Sequence, residues 1–446
     1  SPIHPAFIAL AFPAILTYLL WVLWLFDIGS TISGAKGLYF GRALGNDFLL
    51  YHTAGRAVLE GKTAQLYQLF AGHDHYRYFG YNRPPYYALL FAPFAALPLT
   101  ASFLLWSGLG IVALGVGVRR YGGQHPGRVF LFALGWFPVW CGISFGETIL
   151  PTFAVISLTY GLWRTQHPAL AGLVLSFALD KPHLVLGVIL LWLLRWPRDN
   201  RALLGLAAGA MALAGLSFAV MPEASWAYVA RLPEFGRMMY HPQFPIDRMQ
   251  SVDGFFYLWL RPNLSAAIIL TGLTKAAGML GTVWLWRRHQ NSPALLFAVA
   301  VLLTFWLSPY VLIYDAALLL IPGVLLSQQL PQNQWGWKIL FSIYGVIVLL
   351  GWPLVAKQLA VSQNDVNVNV LAFLLASAYL FRRLTRIRQP LVTPGVPALP
   401  RAPATARTRH SPPGQAGQPA APGTDGGGQP TAAPPPLWPA WFWRAG

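Results

Sequence analysis

The chain has 446 residues, of which 56% are hydrophobic and only 10% are charged, and its mean hydropathy is +0.50. Apolar runs close to the roughly 20 residues that a membrane-spanning helix needs recur along most of the chain. Backbone polar groups in lipid must be satisfied within helices, so the composition excludes a soluble protein and predicts an all-α polytopic membrane protein.

The formal net charge of +17 suggests a nucleic-acid partner, but eight arginines and one aspartate lie beyond residue 381. The other cations cluster in short loops, as orientation signals do, and we expect no nucleic-acid partner.

In chain order, the apolar runs predict about twelve transmembrane helices. The first run is too long and too aromatic for the apolar core of a signal peptide, so we interpret it as a retained span. The second is interrupted by Pro93 and Pro98, and part of it could be re-entrant. The predicted spans are 6–27, 86–118, 129–145, 148–163, 168–180, 183–195, 202–221, 264–286, 293–308, 311–327, 338–356 and 366–381.

Twelve alternating spans, as predicted, place both termini on one side of the membrane. The loops on that side hold arginines at 119, 120, 128, 164, 195, 198, 201, 287, 288, 382, 383, 386 and 388. By the positive-inside rule this side is cytoplasmic, and two large loops, 28–85 and 222–263, face the outside. Residues 390–446 are rich in Pro, Gly and Ala and poor in core-forming side chains, so a disordered cytoplasmic tail is predicted to follow a transmembrane domain of residues 1–389.

Charged and polar side chains near membrane depth indicate function, and the predicted topology puts most of them at the outer face. They are Asp47, Arg83, Glu147, Asp180, Lys181, His183, Asp253 and Asp315. Such one-sided clustering predicts a single polar site that opens outward. The single cysteine, Cys141, excludes an internal disulfide. No zinc-ligand spacing, Walker loop or Rossmann fingerprint is present, so we expect neither a metal nor a cofactor.

Three residues of this cluster each have more than one interpretation. Asp47 begins a helix and shares a face with Tyr51; it is either a functional carboxylate or a helix cap. Lys181 interrupts an apolar run and either points its ammonium group at a phosphate or forms an ion pair with a carboxylate. Glu147 is a turn residue, a hydrogen-bonding partner for a sugar hydroxyl, or a partner of Lys181.

Two further segments have the same ambiguity. Asp315 precedes the apolar segment AALLLIP, and a carboxylate at this depth in a predicted span needs a partner. It therefore either pairs with Arg83 or Lys181 or binds substrate. In the second large loop, polar residues of the segment 248–251 lie near several aromatic residues. Such a surface suits a sugar, although tryptophan and tyrosine also collect at membrane interfaces.

Four motifs of the chain resemble those of glycosyltransferase family 87, polyprenyl-phosphate-mannose-dependent α-mannosyltransferases of the GT-C superfamily. Together they lie between about residues 5 and 385, in the order and spacing of that family. The first is Asp47-Phe48 with Tyr51, Ala54, Gly61 and Leu66-Tyr67, and the second is Pro84-Pro85 with Leu89-Leu90 and Pro93. The others are Lys181-Pro182 and Ser308-Pro309-Tyr310 with Tyr314-Asp315 and Leu318-Leu319.

The resemblance implies a GT-C-like bundle of about twelve helices that transfers a hexosyl group, mannosyl by analogy, with inversion. The donor would be a polyprenyl-phosphate sugar and the acceptor a hydroxyl of a lipid or glycan, at the outer face of a bacterial inner or plasma membrane. Asp47 would be the general base, and Lys181, Arg83 and Arg248 would bind the donor phosphate. Contacts with the sugar or acceptor would come from Tyr51, Glu147, His183, Gln250, Ser251, Tyr314 and Asp315.

The chain departs from the family pattern at two positions. It has Arg83-Pro84-Pro85 where the family often has Tyr-Pro-Pro, and Gly146-Glu147 where the family often has Gly-Gln. Both positions bear on which sugar is transferred. The competing hypothesis is a transporter or lipid flippase, which would place charges near the bilayer midplane, often within internal repeats; here the charges gather at one face.

Overall fold

The computed structural model describes residues 11–20, 22, 44–69, 80–121, 125–237, 249–261, 263–328 and 368–386. All regular elements in this part of the chain are helical. The α-helices are α1 (Ala11–Leu20), α2 (Asn46–Leu59), α3 (Pro85–Ala95), α4 (Leu99–Tyr121), α5 (Pro126–Leu134), α6 (Phe137–Phe145), α7 (Ile149–Arg164), α8 (Pro168–Leu175), α9 (Leu186–Leu194), α10 (Asn200–Val220), α11 (Pro222–Arg237), α12 (Val252–Trp259), α13 (Leu264–Arg288), α14 (Pro293–Leu307), α15 (Leu320–Ser327) and α16 (Val368–Arg386). Short 3₁₀ helices occupy Thr63–Gln65, Ser176–Ala178, Pro182–Leu184 and Ile313–Leu319.

Three helices, α4, α10 and α13, are long and apolar enough to cross a membrane, and the pair α5–α6 passes the same test as one bent unit. The prediction of an all-helical membrane protein is therefore confirmed for the part of the chain that the structure describes. The number of twelve spans stays a prediction. The predicted span 338–356 and the tail 390–446 lie outside the described residues.

Proline explains several helix boundaries. It occupies the first turn of α3, α5, α6, α8 and α14, where its missing N–H group costs no hydrogen bond and its fixed φ suits the helix. The predicted break in the run 86–118 is present, because α3 ends at Ala95 and α4 begins at Leu99.

The predicted span 129–145 is divided between two helices. Helices α5 and α6 are bent by 66° at a short break, and Trp136 has an extended backbone with φ −86° and ψ 112°. Pro138 explains the break: a proline ring clashes with the carbonyl four residues earlier, and α5 ends at that residue, Leu134.

The described part of the predicted loop 28–85 is mostly helical. Within it, α2 packs closely along α3, and a Cβ atom added at Gly55 would lie 2.6 Å from the carbonyl carbon of Phe91. Buried aromatic side chains fill the rest of this interface, among them Phe48, Tyr51 and Phe91. The start of α2 is thereby fixed against the bundle core.

Candidate active site

Asp47 lies in the first turn of α2 and is half-buried. Gly45 occupies the N-cap position, and no side chain caps this helix. The Gly45 N–H donates to the Ser144 carbonyl at 2.7 Å, which joins the start of α2 to the end of α6. Asp47 therefore does not act as a helix cap, and its carboxyl group lies within electrostatic reach of the Glu147 side chain.

Glu147 lies in the turn between α6 and α7 and is 4% exposed. Its Oε1 accepts from Arg83 Nη2 at 3.2 Å, and its Oε2 lies 3.0 Å from Lys181 Nζ. The Thr148 backbone N–H donates to the same Oε2 at 2.8 Å. Three donors thus hold this carboxylate in one orientation.

Lys181 lies in the break between α8 and α9, between two buried carboxylates. Besides Glu147 it contacts Asp315, with 3.1 Å between Nζ and Oδ1. The other Asp315 oxygen, Oδ2, accepts from the Leu312 backbone N–H at 2.9 Å. The ammonium group also lies 4.6 Å from the ring centroid of Tyr314. The ion pairs that the sequence left as alternatives for Lys181, Glu147 and Asp315 are therefore both formed.

Arg83 completes the arrangement from the segment before α3. Its Nη2 donates to the Tyr51 hydroxyl at 2.9 Å, and its Nη1 approaches the Asp180 carbonyl at 3.4 Å. The Tyr67 hydroxyl donates to the Arg83 carbonyl at 2.8 Å and fixes the backbone at this point. The Arg83 Nε atom is buried and has no hydrogen-bond partner, so Arg83 keeps one unused donor.

The rings of His183 and Tyr310 pack against each other beside these charged groups. Their ring centroids are 4.2 Å apart, and Arg83 and Lys181 lie within electrostatic reach of both side chains. His183 Nε2 is buried without a hydrogen-bond partner. A wall of rings with an unused polar atom has the chemistry of a sugar-binding surface.

The sequence predicted that Gln250 and Ser251 contact the sugar or acceptor. In the structure both residues hydrogen-bond to the segment 309–311. The Ser251 hydroxyl donates to the Pro309 carbonyl at 2.9 Å and accepts from the Gly254 N–H at 3.1 Å, so Ser251 caps α12. The Gln250 N–H donates to the Val311 carbonyl at 2.6 Å. Arg248 lies outside the described residues.

Sequence reasoning missed the role of Thr148. Its hydroxyl lies 3.2 Å from both Glu147 Oε2 and Asp180 Oδ2 and links the two acids. A threonine after a glutamate carries no recognisable signal in a single sequence. Tyr310 was seen within the Ser-Pro-Tyr motif, but its stacking on His183 depends on a contact between distant parts of the chain.

We name Asp47, Arg83, Glu147, Asp180, Lys181 and Asp315 the acid–base cluster. By this definition it contains four carboxyl groups and two cations, so its formal charge is −2 when every group is ionised. Like charges at close range raise the pKa of one carboxyl, while cations lower that of its neighbour. A proton therefore binds most readily to the carboxyl group that has no close cation as a partner.

Asp47 and Glu147 respond to this environment in opposite directions. Burial, and after it the charge of Glu147, raises the pKa of the Asp47 carboxyl well above its usual range, although Lys181 and Arg83 oppose the shift. Burial alone would raise the pKa of Glu147 as well, but the adjacent Lys181 and Arg83 hold that pKa at about 2. Glu147 is therefore ionised at neutral pH, whereas the environment of Asp47 favours its protonated form. Within the described residues, no group of three or more metal-ligating side chains is close enough to hold a metal ion.

The fold and the site thus define a helical membrane protein with a buried acid–base cluster at the ends of several helices. The profile of glycosyltransferase family 87 matches residues 81–309, about half of the chain, and the protein belongs to this family. The match includes Arg83, Glu147 and Lys181, whereas Asp47 and Asp315 flank it. Neither a curated protein nor a solved structure matches the chain significantly.

Proposed function

We propose that the protein transfers a hexosyl group, of the mannosyl type, from a polyprenyl-phosphate sugar to a hydroxyl group of a lipid or glycan acceptor. Membership of glycosyltransferase family 87 supports the reaction class. The observation that carries the mechanism is the position of Asp47: it is half-buried and lies within electrostatic reach of Glu147, whose own carboxylate is paired with Arg83 and Lys181. Asp47 forms no ion pair with a cation in the part of the chain that the structure describes.

Asp47 is proposed as the general base. Its carboxylate removes the proton from the acceptor hydroxyl while that oxygen attacks the anomeric carbon of the donor sugar. The bond between this carbon and the phosphate oxygen breaks, and the electron pair leaves with the polyprenyl phosphate. A single displacement inverts the anomeric centre. A general base works best when its pKa lies near the operating pH, and the environment of Asp47 moves its pKa in that direction.

Binding of the donor phosphate is proposed for Arg83, Lys181 and Arg248. Of the two that the structure describes, Arg83 has the unused donor, Nε, and a guanidinium group suits bonding to phosphate oxygens. Lys181 is occupied by Glu147 and Asp315, so its contribution is the positive charge it adds near the leaving phosphate.

Binding of the sugar and acceptor is proposed for the polar and aromatic side chains around Asp47. The ring pair of His183 and Tyr310 and the ring of Tyr314 would pack against a sugar face. The Tyr51 hydroxyl would accept or donate one hydrogen bond beside Asp47. The site would face the outside of a bacterial inner or plasma membrane, as the arginine distribution predicts.

The test incubates the purified protein with a panel of polyprenyl-phosphate sugars and membrane extract of the host, and identifies the new product by mass. We expect Asp47→Asn to lose about 10²–10⁴-fold in transfer rate, the usual contribution of general-base catalysis. Glu60→Gln is the control, because Glu60 is an exposed acid of the same outer segment that pairs with Arg56 and Lys62. Unchanged turnover in a folded Asp47→Asn protein would remove Asp47 as the base, and a wild-type protein that uses none of the donors would remove the donor class.

A further inference from the structure

We propose that Glu147 is a positioning residue whose fixed negative charge, held close to the start of α2, controls the proton on Asp47. The inference rests on the proposed function, in which Asp47 is the base. It depends first on the rigidity of Glu147. Arg83 holds one carboxylate oxygen at 3.2 Å, and Lys181 and the Thr148 N–H hold the other at 3.0 and 2.8 Å. Rotation of this carboxylate away from Asp47 would break all three interactions.

The backbone of the Glu147 turn is fixed against α2 by contacts that do not involve either carboxyl group. Gly146 has φ +67°, a conformation that favours glycine, and a Cβ atom there would overlap the side chain of Phe48. The Trp106 indole N–H donates to the Gly146 carbonyl at 3.0 Å, and the Gly45 N–H donates to the Ser144 carbonyl at 2.7 Å. The turn and the first residues of α2 therefore form one packed unit, which brings Asp47 and Glu147 together.

Several groups face Asp47, and their charges decide which carboxyl carries the proton. Glu147 comes from the turn before α7, Lys181 from the break before α9 and Arg83 from the segment before α3. Tyr51 on α2 and Tyr314 in Ile313–Leu319 face it as neutral groups. The two cations bind Glu147 directly, whereas Asp47 has no ion pair of its own among the described residues. Two adjacent carboxylates repel each other, so the proton belongs on Asp47.

This arrangement has a consequence for catalysis. Asp47 can accept a proton only after losing its own, so the transfer rate should increase with pH as Asp47 ionises. The midpoint of that increase should lie well above the roughly 3.9 of an unperturbed aspartate. Replacing Glu147 by glutamine keeps the hydrogen-bonding shape but removes the repelling charge, and it leaves Arg83 and Lys181 without their shared anion. Both effects favour ionised Asp47.

The experiment measures kcat/KM against pH for the wild type, Glu147→Gln and the control Glu60→Gln, since Glu60 is an exposed glutamate outside the cluster. We expect the midpoint in Glu147→Gln to move at least one pH unit lower, so that the ionised fraction of Asp47 below the midpoint rises about tenfold. The midpoint in Glu60→Gln should match that of the wild type. An unmoved midpoint in a folded, active Glu147→Gln protein overturns the inference while the proposed function stands.

A second measurement needs neither activity nor a stable Glu147→Gln protein. Infrared spectroscopy of the wild type and Asp47→Asn during a pH titration isolates the carbonyl stretch of protonated Asp47 as the band that the variant lacks. We expect this band to persist at pH 6, where an unperturbed aspartate is ionised. A band that disappears near pH 4 overturns the inference. If the band behaves as expected but no polyprenyl-phosphate sugar is used, the raised pKa of Asp47 stands and the proposed donor alone fails, while the pH midpoint of Glu147→Gln decides the role of Glu147.

Discussion

Lys181 and its two carboxylates show how a buried charge is tolerated in an apolar bundle. Lys181, Glu147 and Asp315 are each less than 5% exposed. Removing ions from water is costly, and the attraction between them offsets that cost only when the contacts are close and the remaining polar atoms are bonded. Both conditions hold here, because Thr148 and Leu312 supply backbone donors to the two acids.

At this scale we expect Lys181→Met to be strongly destabilising. The substitution leaves two buried carboxylates without their shared cation, and breaking a buried ion pair in this way costs about 3–5 kcal/mol. Thermal unfolding in detergent should therefore show a large decrease in apparent Tm. Lys62→Met is the matched control, since Lys62 pairs with Glu60 on the surface and exposed pairs contribute about 0–1 kcal/mol. Equal effects of the two substitutions would contradict the proposed role of Lys181 in holding the cluster together.

The sequence indicated which residues of the site are important but not which of them pair. Lys181 had two interpretations. Its two carboxylate partners, Glu147 and Asp315, lie 34 and 134 positions away from it along the chain. No local pattern can select among such distant partners, because the choice depends on how the helix ends meet. Arg56 and Glu60, in contrast, are four residues apart on one helix, and their solvated ion pair is a local property.

The same distinction holds for whole elements. Long apolar runs predicted α4, α10 and α13 well, since the length and hydropathy of a helix are local. The continuous apolar run 129–145 concealed the bend between α5 and α6. Pro138 was the available signal, but in an apolar run a proline either kinks a membrane helix or begins a new one. The neighbouring helices decide which of the two occurs.

The contact between α2 and α3 gives a prediction for an element rather than a residue. In Gly55→Ala the new Cβ would lie 2.6 Å from the Phe91 carbonyl carbon and oxygen, so the two helices must move apart. Overpacking of this kind costs about 1–3 kcal/mol, and the shift would carry Asp47 away from Glu147. We expect a lower apparent Tm together with a lower transfer rate.

Gly215→Ala in α10 is the control for this prediction, because a Cβ there meets nothing within 4 Å. Alanine is favoured over glycine inside a helix by about 1 kcal/mol, so this variant should be as stable as the wild type or slightly more stable. A Gly55→Ala protein that retains both stability and activity would show that the α2–α3 contact can relax without disturbing the site.

At the scale of the whole molecule, helices α4 and α7 have the site near one end and arginines at the other. Helix α7 starts next to Glu147, ends at Arg164 and is 16 residues long, which at 1.5 Å per residue is roughly 24 Å. Helix α4 likewise has Phe103 near Phe48 at its beginning and two arginines in its last turn. Basic helix ends mark the cytoplasmic side, so this arrangement predicts that the acid–base cluster faces outward.

Cysteine labelling tests this orientation directly. The single native cysteine, Cys141, is buried and should react slowly, so an introduced exposed cysteine will dominate the signal. Lys62 lies in the predicted outer loop 28–85, and Thr165 follows α7 at the end away from Glu147; both are exposed. We expect Lys62→Cys to react with a membrane-impermeant maleimide in intact cells, and Thr165→Cys to react only after permeabilisation. The reverse result would place the cluster on the cytoplasmic side, where the donor would have to be presented from the inner leaflet.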